Sequence, residues 1–270
     1  MLEIHSSVNE YLRRFRKQMR LSQLELSLRL GVSQRHVSFV ESGRSKASRS
    51  LLINWMKSLE VPLVQRNELL FAAGYAPAYS ATEIDDPGMV SARTALNHLL
   101  NAHNPSPAFV LDDDWNVQAL NDGAVWLART LVPALVERQN GDALNLLDLF
   151  TDSDGLAPLI VNIDDVGPRF LSMLRMEAVM HESLASRVRA FEEMLSVFQN
   201  DKDRYGKEVH EAPALTTIFA SPFGELSFMS MFTTFGTPVD ITLASLRVEH
   251  LFPADEFTRS VLNSEVLSPP

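Results

Sequence analysis

The segment Ser22–Leu52, SQLELSLRLGVSQRHVSFVESGRSKASRSLL, sets two short helical patterns between glycine stops. Ser22-Gln-Leu-Glu25 has the form of a capping box, in which the Ser22 hydroxyl accepts the Glu25 amide proton and the Glu25 carboxylate reaches back. Leu26 and Leu30 lie four apart on the helix that follows, and Gly31 can end it at positive φ without steric cost. Ser33 then starts a second helix with Val37 and Val40 inward, and Gly43 stops it. Two short helices joined by a tight glycine-containing turn make a helix-turn-helix, whose second helix can enter the major groove of DNA. Gln34, Arg35 and His36 stand at the start of that helix, with Ser38 one turn on. Arginine forks onto guanine O6/N7 and glutamine onto adenine N6/N7, so these side chains are suited to reading base edges.

The same reading extends to both sides. Gln23 begins the preceding helix, where backbone amides and a side-chain amide can grip a phosphate. Ser33, at the head of the second helix, joins the expected contact set. Arg44, Lys46 and Arg49 trail past Gly43 as phosphate or minor-groove contacts. Upstream, Tyr11, Leu12, Phe15 and Met19 recur at helical spacing. Downstream, two more helices are expected at Leu51–Leu59 and Val64–Ala73, split by Pro62 and ended by Gly74. Tyr11, Phe15, Val37 and Phe39 are assigned to the core. The first module is therefore an all-α domain of five short helices.

Charge separates this module from the rest. Met1–Ser80 carries twelve Lys and Arg against six Asp and Glu, whereas the remaining residues carry twelve against twenty-eight. The first part is drawn to a polyanion; the second is repelled by one. The domain boundaries follow: 1–75 for the helix-turn-helix domain, 76–104 for a linker and connecting helix, and 105–270 for a second domain. Residues 76–88, APAYSATEIDDPG, have linker composition, and a helix is expected from Met89 to Asn101.

The second domain reads as two strands, a helical block, then three strands. Ala108–Leu111 and Asn116–Leu120 flank an Asp112-Asp113-Asp114 turn. Helical patterns occupy about 122–136, 143–150, 167–180 and 184–199, and β-rich runs follow at 214–221, 224–235 and 239–250. Periodicity supports an α+β fold with an antiparallel sheet. On the long strand, Leu226, Phe228 and Phe232 share one face, and Met229 and Met231 the other. One face is expected to meet the helices with any ligand between them; the other needs a cover, from the Met89–Asn101 helix or a second subunit. Twelve of fifteen Phe and seven of ten Met lie beyond residue 80, adaptable material for an apolar cavity or simply for a core.

Residues 8–75 resemble the Cro/repressor-type (xenobiotic-response-element) helix-turn-helix family, through Gln23, Gly31, Ser33, Val37, Glu41, Gly43 and the leucine-rich helix after them. Ser27 stands where the family usually carries alanine, and it is still small. PAFVLDDDWNVQALNDGAVWLARTL, NLLDLFTD and FGELSFMSMFTT, set behind QRNELLFAAGYAP, are similar to the MmyB-like regulators. The helical block at 164–200 and the acidic Asp112–Asp114 turn depart from that pattern. The resemblance implies a PAS-like second domain, with a five-stranded antiparallel sheet, that holds a lipid-like ligand, a fatty acid in some members. Trp115, Asn121, Trp126, Met173, Phe219, Phe228 and Phe232 are the expected ligand contacts, and Arg169 or Arg175 the expected partner of a ligand carboxylate.

Other function classes find little footing. The chain has no cysteine, hence no disulfide framework and no thiol nucleophile. His181-Glu182 lacks the second histidine of a zinc-protease helix. Asp152-Ser-Asp154-Gly155 fails as a calcium loop at Leu156 and Ile163, and His210-Glu211 reads as part of a solvated loop. The expectation is a transcription regulator with no enzymatic activity and no cofactor or metal, cytoplasmic, without a membrane span, homodimeric, bound to a double-stranded DNA operator and to a small apolar ligand. Its alternative is a second domain that serves only dimerisation or protein interaction.

Overall fold

A computed structural model describes residues 8–138, 144–200 and 216–267. The chain divides into two units, Met1–Glu83 with Thr237–Ala244, and Ile84–Gly236 with Ser245–Pro270.

In the first unit each helix is bracketed by its own caps. Helix α1 (Val8–Gln18) is followed by α2 (Gln23–Leu30), which opens on the expected capping box: Glu25 N–H donates to Ser22 Oγ at 3.0 Å and Ser22 N–H to Glu25 Oε2 at 2.7 Å. Gly31 closes α2 at φ +65°, a backbone conformation that a side chain would strain. Helix α3 (Gln34–Glu41) is capped by Ser33, whose Oγ accepts from His36 N–H. Ser48 caps α4 (Arg49–Ser58), so this helix begins before Leu51, where the apolar pattern starts. Helix α5 (Leu63–Ala72) completes the five. Leu12, Leu26, Val37, Leu52, Trp55, Met56 and Leu70 form the core, with Tyr11 and Phe15 partly buried against it. Ser27 is buried at the α2 position that must stay small, and its hydroxyl donates to Leu24 O.

Phe39 does not join that core. It is half-buried, with the guanidinium of Arg35 5.1 Å and that of Arg44 5.9 Å from its ring centroid. Its place on α3, two residues from Val37 and one from Val40, turns the ring off the buried stripe.

The second unit opens with α6 (Val90–His103) and holds one five-stranded antiparallel sheet in the order β2-β1-β5-β4-β3. The strands are β1 (Ala108–Leu111), β2 (Val117–Leu120), β3 (Thr216–Ser221), β4 (Gly224–Thr234) and β5 (Arg247–Pro253). Between β2 and β3 lie α7 (Asp122–Leu131), α8 (Pro133–Arg138), α9 (Leu146–Thr151), α10 (Ile163–Met180) and α11 (Ala185–Asn200). Helices α10 and α11 cross closely because Gly167 has no side chain: a Cβ there would lie 2.4 Å from a Leu195 methyl. Register places Phe228, Ser230 and Phe232 opposite Pro253, Leu251 and Glu249 on the helix-facing side. The other side meets α6, whose His103 packs edge-on against His250 and Phe252 at 4.8 Å each. This is the α+β, PAS-like arrangement the residue order implies.

Three features depart from the sequence reading. The run 239–250 is not one strand: a short helix α12 (Ile241–Ser245) precedes β5, and β5 extends to Pro253. Asp240 directs the change, since its Oδ1 accepts from Thr242 N–H at 2.9 Å and starts a helical turn where alternation alone suggests extension. Within the first unit the same carboxylate accepts from Thr82 N–H and from the Thr82 hydroxyl, the latter at 2.7 Å. Second, the pattern at 122–136 breaks at Val132, and Pro133 begins a separate helix. Third, a further helix, α13 (Glu256–Leu267), follows β5; Asp255 accepts from Thr258 N–H at 2.7 Å, and Leu262 is buried in the core.

Candidate DNA interface and ligand cavity

On the first unit, Gln34 and Arg35 are exposed at the start of α3, and His36 and Ser38 are half-buried beside them. Arg44 and Lys46, also exposed, follow α3 in the chain, and Lys46 sits over the Tyr75 ring at 5.0 Å. Arg49 donates to Pro77 O at 3.3 Å. Stacking on Phe39 and Tyr75 limits the rotamers of Arg35, Arg44 and Lys46, so less entropy is lost when these cations meet an anionic surface.

Gln23 has a structural task. Its Nε2 donates to Glu41 Oε2 at 2.8 Å, and the same carboxylate receives Arg16 Nε at 2.6 Å and Arg16 Nη2 at 2.8 Å. Burial pushes the Glu41 carboxyl up, but the bonds from Arg16 and Gln23 more than offset this, and its pKa is lowered overall. The bond to Glu41 raises the Arg16 pKa. This trio ties α1, α2 and the end of α3 together, and so fixes the helix-turn-helix geometry. Sequence reading missed it because its members are separated by as many as twenty-five positions.

In the second unit a cavity of about 490 Å³ lies between the sheet and α7, α9, α10 and α11. Phe109, Leu127, Leu149, Ile163, Phe170 and Phe191 are among its walls, and nearly all of the rest is equally apolar. The volume falls in the range of small-molecule sites. Of the expected contacts, Trp115, Arg169, Met173, Phe219 and Phe232 line it. Four do not. Phe228 is buried in the core against Phe219, and Trp126 packs against Phe223. Asn121 caps α7: its Oδ1 accepts from Ala124 and Ala108 N–H, and its Nδ2 donates to Leu100 O and Ser106 O. Those four bonds leave this amide nothing for a ligand. Arg175 is exposed and paired with Glu192 at 2.5 Å. On α10, Arg169 follows the cavity-lining Val166 by three residues, whereas Arg175 falls on the outer face.

Trp115 reaches the cavity through a strained turn. It holds φ +66°, costly for a bulky side chain, because Asp112 organises the loop around it. Asp112 Oδ1 accepts from both Asp114 and Asn116 N–H at 2.9 Å, and Trp115 N–H donates to Asp112 O. The indole Nε1 then donates to Glu177 Oε2 at 2.8 Å, and the Arg247 guanidinium lies over the ring at 4.2 Å. Arg247 itself pairs with Glu177 at 2.7 Å. The Asp112–Asp114 turn therefore has an internal structural role.

Polar lining was harder to foresee. Glu249 and Ser230 face the cavity from β5 and β4, and Ser230 Oγ donates to Glu249 Oε1 at 2.6 Å. Loss of water around the carboxyl raises the Glu249 pKa, opposed by the Ser230 bond and the charge of Arg247. The β-rich runs carry no register of their own; the observed pairing of Phe232 with Glu249 and of Ser230 with Leu251 is what brings the two polar side chains together. Among the described residues no group of three His, Cys, Asp or Glu stands close enough to hold a metal ion. No described helix is long and apolar enough to cross a membrane.

Residues 92–264 match the family model of the MmyB-like transcription regulator ligand binding domain, and residues 12–65 match a helix-turn-helix model. The chain belongs to the MmyB-like transcription regulators: a DNA-binding regulator with a ligand-sensing domain. Among curated proteins no match is found.

Proposed function

We propose that the protein binds its operator as a homodimer and that its second unit senses an apolar ligand built on a medium to long acyl chain. The cavity carries this reading: about 490 Å³ of nearly continuous apolar wall, within a domain of a ligand-binding family. Base readout falls to Gln34, Arg35, His36 and Ser38, while Gln23, Ser33, Arg44, Lys46 and Arg49 hold phosphates. Two copies would place two recognition helices on half-sites one helical turn apart. A ligand that prefers one of the protein's conformations changes operator affinity by that preference and no more.

The test is thermal unfolding of the lipid-stripped protein with fatty acids of increasing length and their methyl esters. Each buried CH₂ contributes ~0.8 kcal/mol before ordering costs, so the melting temperature should climb with length and level off when the cavity is full. A flat response across both series discards the sensor and leaves a protein-interaction module in its place.

A further inference from the structure

The hairpin that lines the cavity carries a loop that belongs to the other unit. Strands β4 and β5 supply Ser230, Phe232, Glu249 and Leu251 to the wall, and Thr234 pairs with Arg247 where the hairpin closes. Between those ends, Thr237–Ala244 is part of the first unit, with the helix-turn-helix. There the buried Asp240 takes hold of the linker: Thr82 donates to its Oδ2 from the backbone N–H at 3.2 Å and from the hydroxyl at 2.7 Å. Ile241 N–H adds a bond to Ser80 O at 2.8 Å. Capping α12 engages Asp240 Oδ1 through Thr242 N–H, so the cap does not account for the second oxygen. The linker is held at its other end as well. Asn67 on α5 accepts from Ala78 N–H at 2.9 Å and from Tyr79 N–H at 3.1 Å, and it donates to Tyr79 O at 2.7 Å.

We infer that the clasp of Asp240 on Thr82 is the element that couples the cavity to the operator-binding unit. This rests on the reading of the cavity as an acyl-chain sensor. Coupling requires an element with two arrangements that both sites bias. An acyl chain between sheet and helices bears on the side chains of β4 and β5, and the ends of those strands set the span of the loop. A shift there reaches Asp240 along the chain, Thr82 through a charge-assisted bond, and α5 through Asn67. Three donors, the Thr82 N–H and hydroxyl and the Thr242 N–H, hold the Asp240 carboxylate in one position. Without these bonds, residues of linker composition would absorb the shift by rotating about their own backbone.

The experiment measures affinity of the lipid-stripped full-length protein for an operator selected from random sequence, first alone and then saturated with methyl dodecanoate. Calorimetry follows the ester in parallel. The readout is the ratio of the two operator affinities, which should be about 5- to 150-fold for the natural sequence. In Asp240→Ala it should fall to within about twofold of one, while the ester and the operator each still bind within about threefold of their natural affinities. Thr82→Val keeps the α12 cap and removes only the hydroxyl, and Asn67→Ala acts at the far end of the linker; each should shrink the ratio in the same direction. A role in folding alone would lower the melting temperature of these variants and leave the ratio as it was. Should Asp240→Ala fail to fold, the other two variants decide. Folded variants that keep the natural ratio overturn the inference, as do folded variants that lose ester or operator binding outright. If the natural protein binds the ester with no change in operator affinity, the sensor reading falls instead; if it does not bind the ester, the acyl-chain reading falls.

Discussion

Arg16 crosses from α1 to Glu41 at the end of α3, and Gln23 closes the third side of the trio. Removing one member of a buried pair leaves the other charged and unpaired, which costs more than the pair itself contributes. Glu41→Ala should destabilise the first unit by about 3 kcal/mol, read as a lower denaturant midpoint in its unfolding transition. An unchanged midpoint would mean that Arg16 is solvated well enough to need no partner. Arg35 tests the interface differently. Arg35→Ala should cost ~1–3 kcal/mol on the selected operator and relax preference at one base pair, while Arg44→Ala weakens all sequences alike. A binding-site logo unchanged by Arg35→Ala would move base readout to other α3 residues. At this scale local rules were legible: the Ser22 box, the Ser33 cap and the Gly31 stop follow from neighbours in sequence. The Gln23–Glu41 bond and the four-bond role of Asn121 were not, because both depend on residues brought together only by folding.

Helix α6 and strand β5 meet through His103 and His250, and burial lowers both imidazole pKa values below the ordinary value. The unfolded chain therefore binds these protons first, and stability of the second unit falls as pH drops below about 6.5. Asp113 acts in the opposite sense. Burial raises its pKa from 3.8 to about 6, so the folded form holds its proton more tightly and its contribution favours the fold increasingly as pH falls through about 6 toward 3.8. Replacing both histidines by glutamine should therefore flatten or reverse the loss of stability between pH 7 and pH 5, measured by unfolding across that range. A slope unchanged by the double replacement would place the acid sensitivity elsewhere. The elements themselves were largely legible, since apolar spacing located α6, α10, α11 and four of the five strands. β5 was misplaced because Asp240 starts a helix inside an alternating run, and α13 was missed although Asp255 and Thr258 carry its cap. In both cases a single acidic residue sets the boundary, and a hydrophobic pattern does not register it.

Across the whole chain, charge and shape are divided between the units. The basic excess over Met1–Ser80 accompanies the helix-turn-helix, and the acidic remainder accompanies the cavity. A fragment of residues 1–80 should bind DNA with affinity that falls steeply with salt, whereas residues 89–270 should not bind at all in a filter or mobility assay. Retention of DNA by the acidic fragment would contradict that division. The existence of a cavity was only hinted at by the excess of Phe and Met, because the same residues fill ordinary cores; its walls were settled by the close crossing of α10 and α11 and by the register of β4 and β5. The central claim is that filling this cavity changes how the protein holds its operator. It is tested most directly by measuring affinity for an operator selected from random sequence, with the full-length protein lipid-stripped and then saturated with methyl dodecanoate. The account predicts a change of about 5- to 150-fold, with the operator shifting affinity for the ester by the same factor. Saturation of the cavity that leaves operator affinity unchanged would contradict it.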